Sequence, residues 1–322
     1  MADTTQNECV LGIDVGGTSI KAGLFTTEGK LVDVTKIPTG ALVGEEAFAR
    51  VTEGLHGLVT NCSRGDGDVV AVGLDVPGPV DDQGRVGMLP NIQLDPEGLM
   101  AALAAKFPDS ALAFVNDANA AALGELWQGS GKGFGSFVMV TLGTGVGGGV
   151  IVNGRLVSGA FGAGGEIGHI TVEPNETLSC GCGRKGCLEQ YASAKGLVRM
   201  YREQCAHLGL EAAKIEHATD TISVFEAYKA QDPAAIRAVG DMCDKLGLAL
   251  AQISCVIDPA AYLIGGGVAG AFDLFGESLS TAFRSHCLAT SAGAKILPCS
   301  LGNKAGMYGV AYAALQQRRA RA

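Results

Sequence analysis

Apolar and polar positions along this chain fall into two rhythms that exchange several times. VLGID (10–14) is a continuous apolar run closed by a glycine turn, and SIKAGLF (19–25) alternates before the turn residues TTEGK. This pattern predicts two β-strands joined by a glycine turn. Residues 44–61 carry a helical period, and VVAVGLDVPGPV (69–80) predicts a buried strand running into a Pro/Gly loop. DPEGLMAALAAKF (95–107) predicts a short helix, ALAFV (111–115) a strand, and NDANAAALGELWQG (116–129) a helix with a strong start signal.

The second half repeats the first. GSFVMVTLGTGVGGGVIVNGRLV (135–157) is again strand, glycine turn, strand and hairpin. Recurrence of one supersecondary unit predicts a duplicated α/β architecture with a cleft between the halves. A glycine-rich stretch, 159–189, interrupts it. Helices are predicted at 192–209, 221–230 and 233–256, followed by a strand, AYLIGGGV (261–268), and by a last helix at about 303–319. The expected division is a smaller domain of residues 1–122 plus 303–322, closed by that last helix, and a larger domain of residues 123–302.

Composition narrows the classes. The 322 residues are 47% hydrophobic and 18% charged, as in a globular chain with room for two cores. The net charge of −9 and the single basic cluster, Arg318, Arg319 and Arg321, argue against a nucleic-acid surface. No stretch approaches the roughly 20 apolar residues of a membrane span, and MADTTQNE has no signal-peptide pattern, so a cytoplasmic location is expected. Glycine is the anomaly, at 48 residues, and points to tight turns and close backbone approach to a ligand. Seven of the ten cysteines are scattered, mostly in apolar runs, and predict buried reduced thiols; Cys180, Cys182 and Cys187 crowd together and need another explanation.

In the first loop, Asp14-Val-Gly16-Gly17-Thr18, a strand delivers an acidic residue beside glycines whose N–H groups can approach phosphate oxygens. Lys21 can reach a phosphate, and Asp14 has the chemistry to hold Mg²⁺. The second loop, Thr141-Leu-Gly-Thr144-Gly145-Val-Gly-Gly-Gly149, contains a GxGxxG match. It leads into a strand instead of a helix, which excludes a dinucleotide fold. A plain hairpin is the alternative for either loop alone; the pair suits a nucleoside triphosphate. Gly265-Gly266-Gly267 ends a further strand and gives a flat backbone for a base or ribose.

Asn116 is an N-cap candidate and Asp117 follows it in the first helical turn. Capping accounts for both. The helix dipole that favours an acid there also keeps it ionised, as a general base for phosphoryl transfer must be.

Glu166-Ile-Gly-His169 precedes Cys180-Gly-Cys182 and Cys187-Leu-Glu189. One histidine and three cysteines at short gaps supply a closed, structural Zn²⁺ site, the knuckle 169–187. Zinc would stiffen the glycine-rich loop and fix Glu166 and Glu189 as acceptors for sugar hydroxyls; solvated surface charge is the alternative for these two carboxylates.

Taken in order, these motifs resemble the ROK family (repressors, open reading frames, sugar kinases), whose fold is a pair of actin-like, ribonuclease-H-like α/β domains with duplicated β-hairpin phosphate loops. The resemblance implies that Asp14, Gly16, Gly17, Thr18, Lys21, Thr144, Gly145, Gly265, Gly266 and Gly267 serve ATP and Mg²⁺. It implies that Asn91, Asn116, Asp117, Glu166, His169, Glu189 and Gly78 serve the sugar, with Asp117 as the base, and that His169, Cys180, Cys182 and Cys187 ligate zinc. Gln93 and Leu94 stand where many relatives carry an aromatic residue soon after Asn91. CGCGRKGCLEQYAS (180–193) is most similar to the bacterial glucokinase branch, which implies ATP-dependent phosphorylation of the 6-hydroxyl of glucose by a homodimer. N-acetylmannosamine, N-acetylglucosamine, fructose and allose remain open as acceptors. A sugar-sensing repressor would need a DNA-binding segment ahead of VLGID, where nine residues stand. A filament former or chaperone would have no use for the knuckle.

Overall fold

The computed structural model describes residues 8–321 except 82, 88, 90 and 91. Two compact units are present: residues 1–133 with 156–164 and 303–322, and residues 134–155 with 165–302.

In the first unit, β1 (Cys9–Val15), β2 (Ser19–Thr26), β3 (Leu31–Pro38), β4 (Val69–Val76) and β5 (Ala111–Asn116) form a sheet of order β3-β2-β1-β4-β5. The β1–β2 and β2–β3 pairs are antiparallel, whereas β1–β4 and β4–β5 are parallel. Every residue of β4 is buried, as befits a central strand covered on both faces. Leu11, Ile13, Val72 and Leu74 pack with α1 (Glu45–Asn61) and α2 (Pro96–Lys106). Val10, Val70 and Ala71 pack with α9 (Ala305–Arg321) on the other face.

Helix α9 lies so close to the sheet that two strand positions admit only glycine. A Cβ on Gly12 would sit 2.0 Å from the Met307 carbonyl oxygen, and one on Gly73 1.9 Å from that of Val310. The glycine excess therefore serves helix-to-sheet packing as well as ligand loops.

The second unit repeats the topology. β6 (Phe137–Leu142), β7 (Val146–Val152), β8 (Arg155–Leu156), β9 (Ala261–Gly265) and β10 (Lys295–Pro298) order as β10-β9-β6-β7-β8. This is the first sheet's order, with a parallel β6–β9–β10 run and an antiparallel β6–β7 hairpin. Val138, Val140, Tyr262 and Ile264 pack with α5 (Ala194–Leu208), α7 (Pro233–Ile257) and α8 (Phe272–His286). Two elements lacked a sequence signal. β10 is four residues with no buried position, and α4 (Glu189–Ala192) is a single turn. Of the seven scattered cysteines only Cys9, Cys205 and Cys243 are buried, and Cys255 is exposed on α7. No helix among the described residues is long and apolar enough to cross a membrane.

Candidate functional site

In the first unit, β1 ends at the glycine loop. Asp14 is half-buried, Gly17 and Thr18 are exposed, and Lys21 Nζ lies 3.4 Å from Asp14 Oδ2. The loop is tied down from behind. Thr39, fully buried, donates its hydroxyl to the Gly16 carbonyl at 2.6 Å and its N–H to the Thr18 carbonyl at 3.3 Å. Arg50 in α1 then donates to the Thr39 carbonyl at 2.7 Å. Exposed N–H groups on a loop held by buried contacts are what a phosphate cradle requires.

Asn116 caps α3 (Asp117–Gln128) as expected, accepting from the Ala118 and Asn119 N–H groups at 3.0 and 3.1 Å. Its Nδ2 donates to the Gly78 carbonyl and to Asp117 Oδ1, both at 3.0 Å. Asp117, exposed at the first helical position, also accepts from the Ala118 N–H at 2.9 Å. One Asp117 oxygen is thus fixed by two donors, and Gly78, Asn116 and Asp117 form one bonded group. Asn91 lies outside the described residues.

A buried acid that the sequence reading passed over sits behind these groups. Asp75, 1% exposed, pairs in register with Asp14 across β1 and β4, and its Oδ1 accepts from the Val15 N–H at 3.1 Å. Burial, followed by the charges of Asp14 and Asp117, holds its carboxyl well above the ordinary range. Its place in the apolar run VVAVGLDV was the available signal: an acid at a strand position with both neighbours buried.

In the second unit, the β6–β7 loop carries Gly143, exposed Thr144 and Gly145. Glu189 reaches it from the start of α4: its Oε2 accepts from the Val146 N–H at 3.1 Å and would lie 2.4 Å from any Cβ at residue 145. Gly266, at φ +85°, turns the chain after β9 against the Leu142 backbone. Beside Gly267 opens a cavity of about 500 Å³, lined by Thr221, Phe225, Glu226 and Lys229 of α6 (Thr221–Lys229) and by Asp273 of α8. No motif marks these lining residues in the sequence.

The nitrogen and sulfur donors of His169, Cys180, Cys182 and Cys187 all lie within 4.8 Å of one another. Cys182 Sγ is 3.7 Å from Cys187 Sγ, and Cys180 Sγ is 3.8 Å from His169 Nδ1. Ligands about 2.3 Å from a tetrahedral Zn²⁺ stand about 3.8 Å apart, so the donor set fits that ion. Burial, and then the neighbouring thiols, push Cys187 up to about 12, whereas the Arg184 N–H draws Cys182 below the usual thiol range. Thiols crowded this way ionise together only beside a cation. His169 Nε2 faces the other way, 3.9 Å from Glu166 Oε2, and Glu166 is exposed. Cys180 Sγ is also 3.9 Å from Glu189 Oε1.

The profile of the ROK family matches residues 10–317. The chain belongs to the ROK family. A glucokinase of Halalkalibacterium halodurans is 36% identical over 318 residues, covering 95% of each chain. A ROK hexokinase from Thermus thermophilus superposes with a TM-score of 0.81 at 32% identity, over 97% of this chain and 99% of that one. A ROK glucokinase from Streptomyces griseus, in complex with glucose and AMPPNP, gives 0.74 at 34% identity, over 96% and 99%. These likenesses bear out the actin-like α/β reading, and the matching sheet orders supply its structural basis.

Proposed function

We propose that this ROK protein is an ATP-dependent glucokinase that phosphorylates the 6-hydroxyl of glucose. The observation that carries the reading is the Asp117 group: an exposed carboxylate at a helix N-terminus, one oxygen fixed by Asn116 and the Ala118 N–H. A base held this way is pre-aligned to accept a hydroxyl proton as that oxygen attacks a phosphorus atom. Identity to glucokinases over nearly the whole chain selects the substrate class.

Asn116 orients the base and borders the sugar together with Gly78, and the family resemblance assigns a sugar contact to Asn91 as well. Glu166, His169 and Glu189 accept or donate hydrogen bonds to the ring hydroxyls. The loops at Gly16, Gly17 and Thr18 and at Thr144 and Gly145 hold the triphosphate through backbone N–H groups, and Lys21 adds a positive charge. Gly265, Gly266 and Gly267 with the adjoining cavity take the adenosine. Asp14 supplies the oxygen ligand for Mg²⁺, which when bound neutralises charge on the phosphate oxygens. His169 through Nδ1, Cys180, Cys182 and Cys187 hold a structural Zn²⁺. The active form is a cytoplasmic homodimer.

The test is ADP release measured over a panel of hexoses and N-acetylhexosamines. Glucose giving the highest kcat/KM is expected. Preference for an N-acetylhexosamine would overturn the substrate, and no activity with any sugar would overturn the kinase reading.

A further inference from the structure

The reading of the first loop as a phosphate cradle leaves Asp75 without a role. Buried polar groups in folded proteins are nearly all hydrogen-bonded, and a buried carboxylate with an unmet oxygen costs stability. Asp75 is such a case: Oδ1 is satisfied by the Val15 N–H, while Oδ2 has no hydrogen-bond partner. Oδ2 lies under the first turn of α9, where a Cβ on Gly306 would stand 2.6 Å from it and 3.6 Å from the Asp14 carboxyl carbon. Asp75 and Asp14 are register partners on adjacent parallel strands, and the Gly306 position adjoins both carboxyls. A leucine in this strand would satisfy the surrounding apolar packing at lower cost.

We propose that Asp75 is a positioning residue for the nucleotide: it fixes the entry of the first glycine loop through the Val15 N–H and sets the orientation of the Asp14 carboxylate. It touches neither the triphosphate nor the sugar and acts through its two neighbours. Val15 is the last residue of β1, so its N–H decides where Gly16 and Gly17 leave the strand. Asp14 meets the Lys21 ammonium at 3.4 Å and has Asp75 as its register neighbour on β4. Loss of Asp75 frees both the loop entry and the carboxylate, and a cradle that must be ordered by its ligand binds that ligand less tightly.

This inference rests on the nucleotide reading of the first loop, and the experiment separates the two. ADP with Mg²⁺ is titrated calorimetrically into the wild type, Asp75→Leu and Asp75→Asn, and each melting temperature is recorded. Asp75→Leu is expected to fold and to bind ADP about 10–100-fold more weakly, the scale of a lost hydrogen bond to a charged group. Asp75→Asn keeps the acceptor for Val15 and places an N–H before Asp14, so it is expected to recover most of that loss. Asp75→Ser, whose side chain is too short to reach Val15 in the same way, replaces the leucine variant if that one does not fold. Equal ADP affinity in all variants, with only the melting temperatures moving, overturns the positioning role. A wild type that binds no ADP overturns the nucleotide reading and this inference with it.

Discussion

Glu189 Oε2 accepts the Val146 N–H at 3.1 Å, so a carboxylate two residues beyond the metal-type cysteine Cys187 holds the second glycine loop in place. Its Oε1 lies 3.9 Å from Cys180 Sγ and, on the function proposed above, accepts from a sugar hydroxyl. Glu189→Ala should therefore raise the KM of both substrates. A hydrogen bond to a charged group contributes about 1.5–3 kcal/mol, or roughly 10–150-fold in kcat/KM. Steady-state kinetics with glucose and ATP varied in turn would show it, and an effect confined to glucose would mean that the Val146 bond does no positioning.

Asp117→Asn keeps the size of the side chain and removes the basic oxygen. The expected loss in kcat is about 10²–10⁴-fold, with glucose affinity changed only a few-fold. Stopped assays and equilibrium glucose binding check the two halves separately. Near-normal turnover would remove Asp117 from the role of base.

Zinc content is measurable without any assay of activity. Mass spectrometry of the purified protein should find one Zn²⁺ per chain, and Cys187→Ser should lose it and lower the melting temperature. Structural zinc binding is folding free energy, so the loss should loosen residues 169–189 first. Hydrogen exchange over that segment would report it, and unchanged protection would oppose a structural role.

Asp220 caps α6, accepting from the Ser223 N–H at 3.2 Å and from the Glu216 N–H at 3.0 Å. The Glu216 N–H and then Ser223 hold its carboxyl below 3.8, its unperturbed value. A lowered folded value means the stabilising contribution is complete above 3.8 and is lost as the pH falls through the folded value. Asp220→Ala should cost about 1 kcal/mol at pH 7, as cap removals do. Unfolding titrations of the two proteins should draw together as the pH falls from 3.8 through the folded value. Because α6 lines the cavity beside Gly267, ATP affinity should weaken as well.

Much of this could be read from the residues because it is local. The glycine loops follow strands whose apolar runs are unambiguous, and Asn116 caps α3 through its own nearest N–H groups. The duplicated α/β architecture was legible because each hairpin carries the same pattern. What escaped depends on contacts distant in sequence. Asp75 meets Asp14 and Val15 only once β4 lies beside β1, and Glu226, Lys229 and Asp273 share a cavity only through the packing of α6 and α8. The glycine excess was read toward ligands because Gly12 and Gly73 show their purpose only against α9, more than two hundred residues away in the chain.

That separation bears on how the protein is made. Synthesis from the N-terminus delivers all five strands of the first sheet before residue 117, yet the helix that presses on Gly12 and Gly73 begins only at Ala305. By then every residue assigned to the second compact unit, up to Gly302, has been synthesised. During translation the first sheet must therefore wait, with Val10, Val70 and Ala71 uncovered on one face, while a complete neighbour is built. The nascent chain is most exposed to aggregation and chaperone capture in this interval, which closes when α9 arrives.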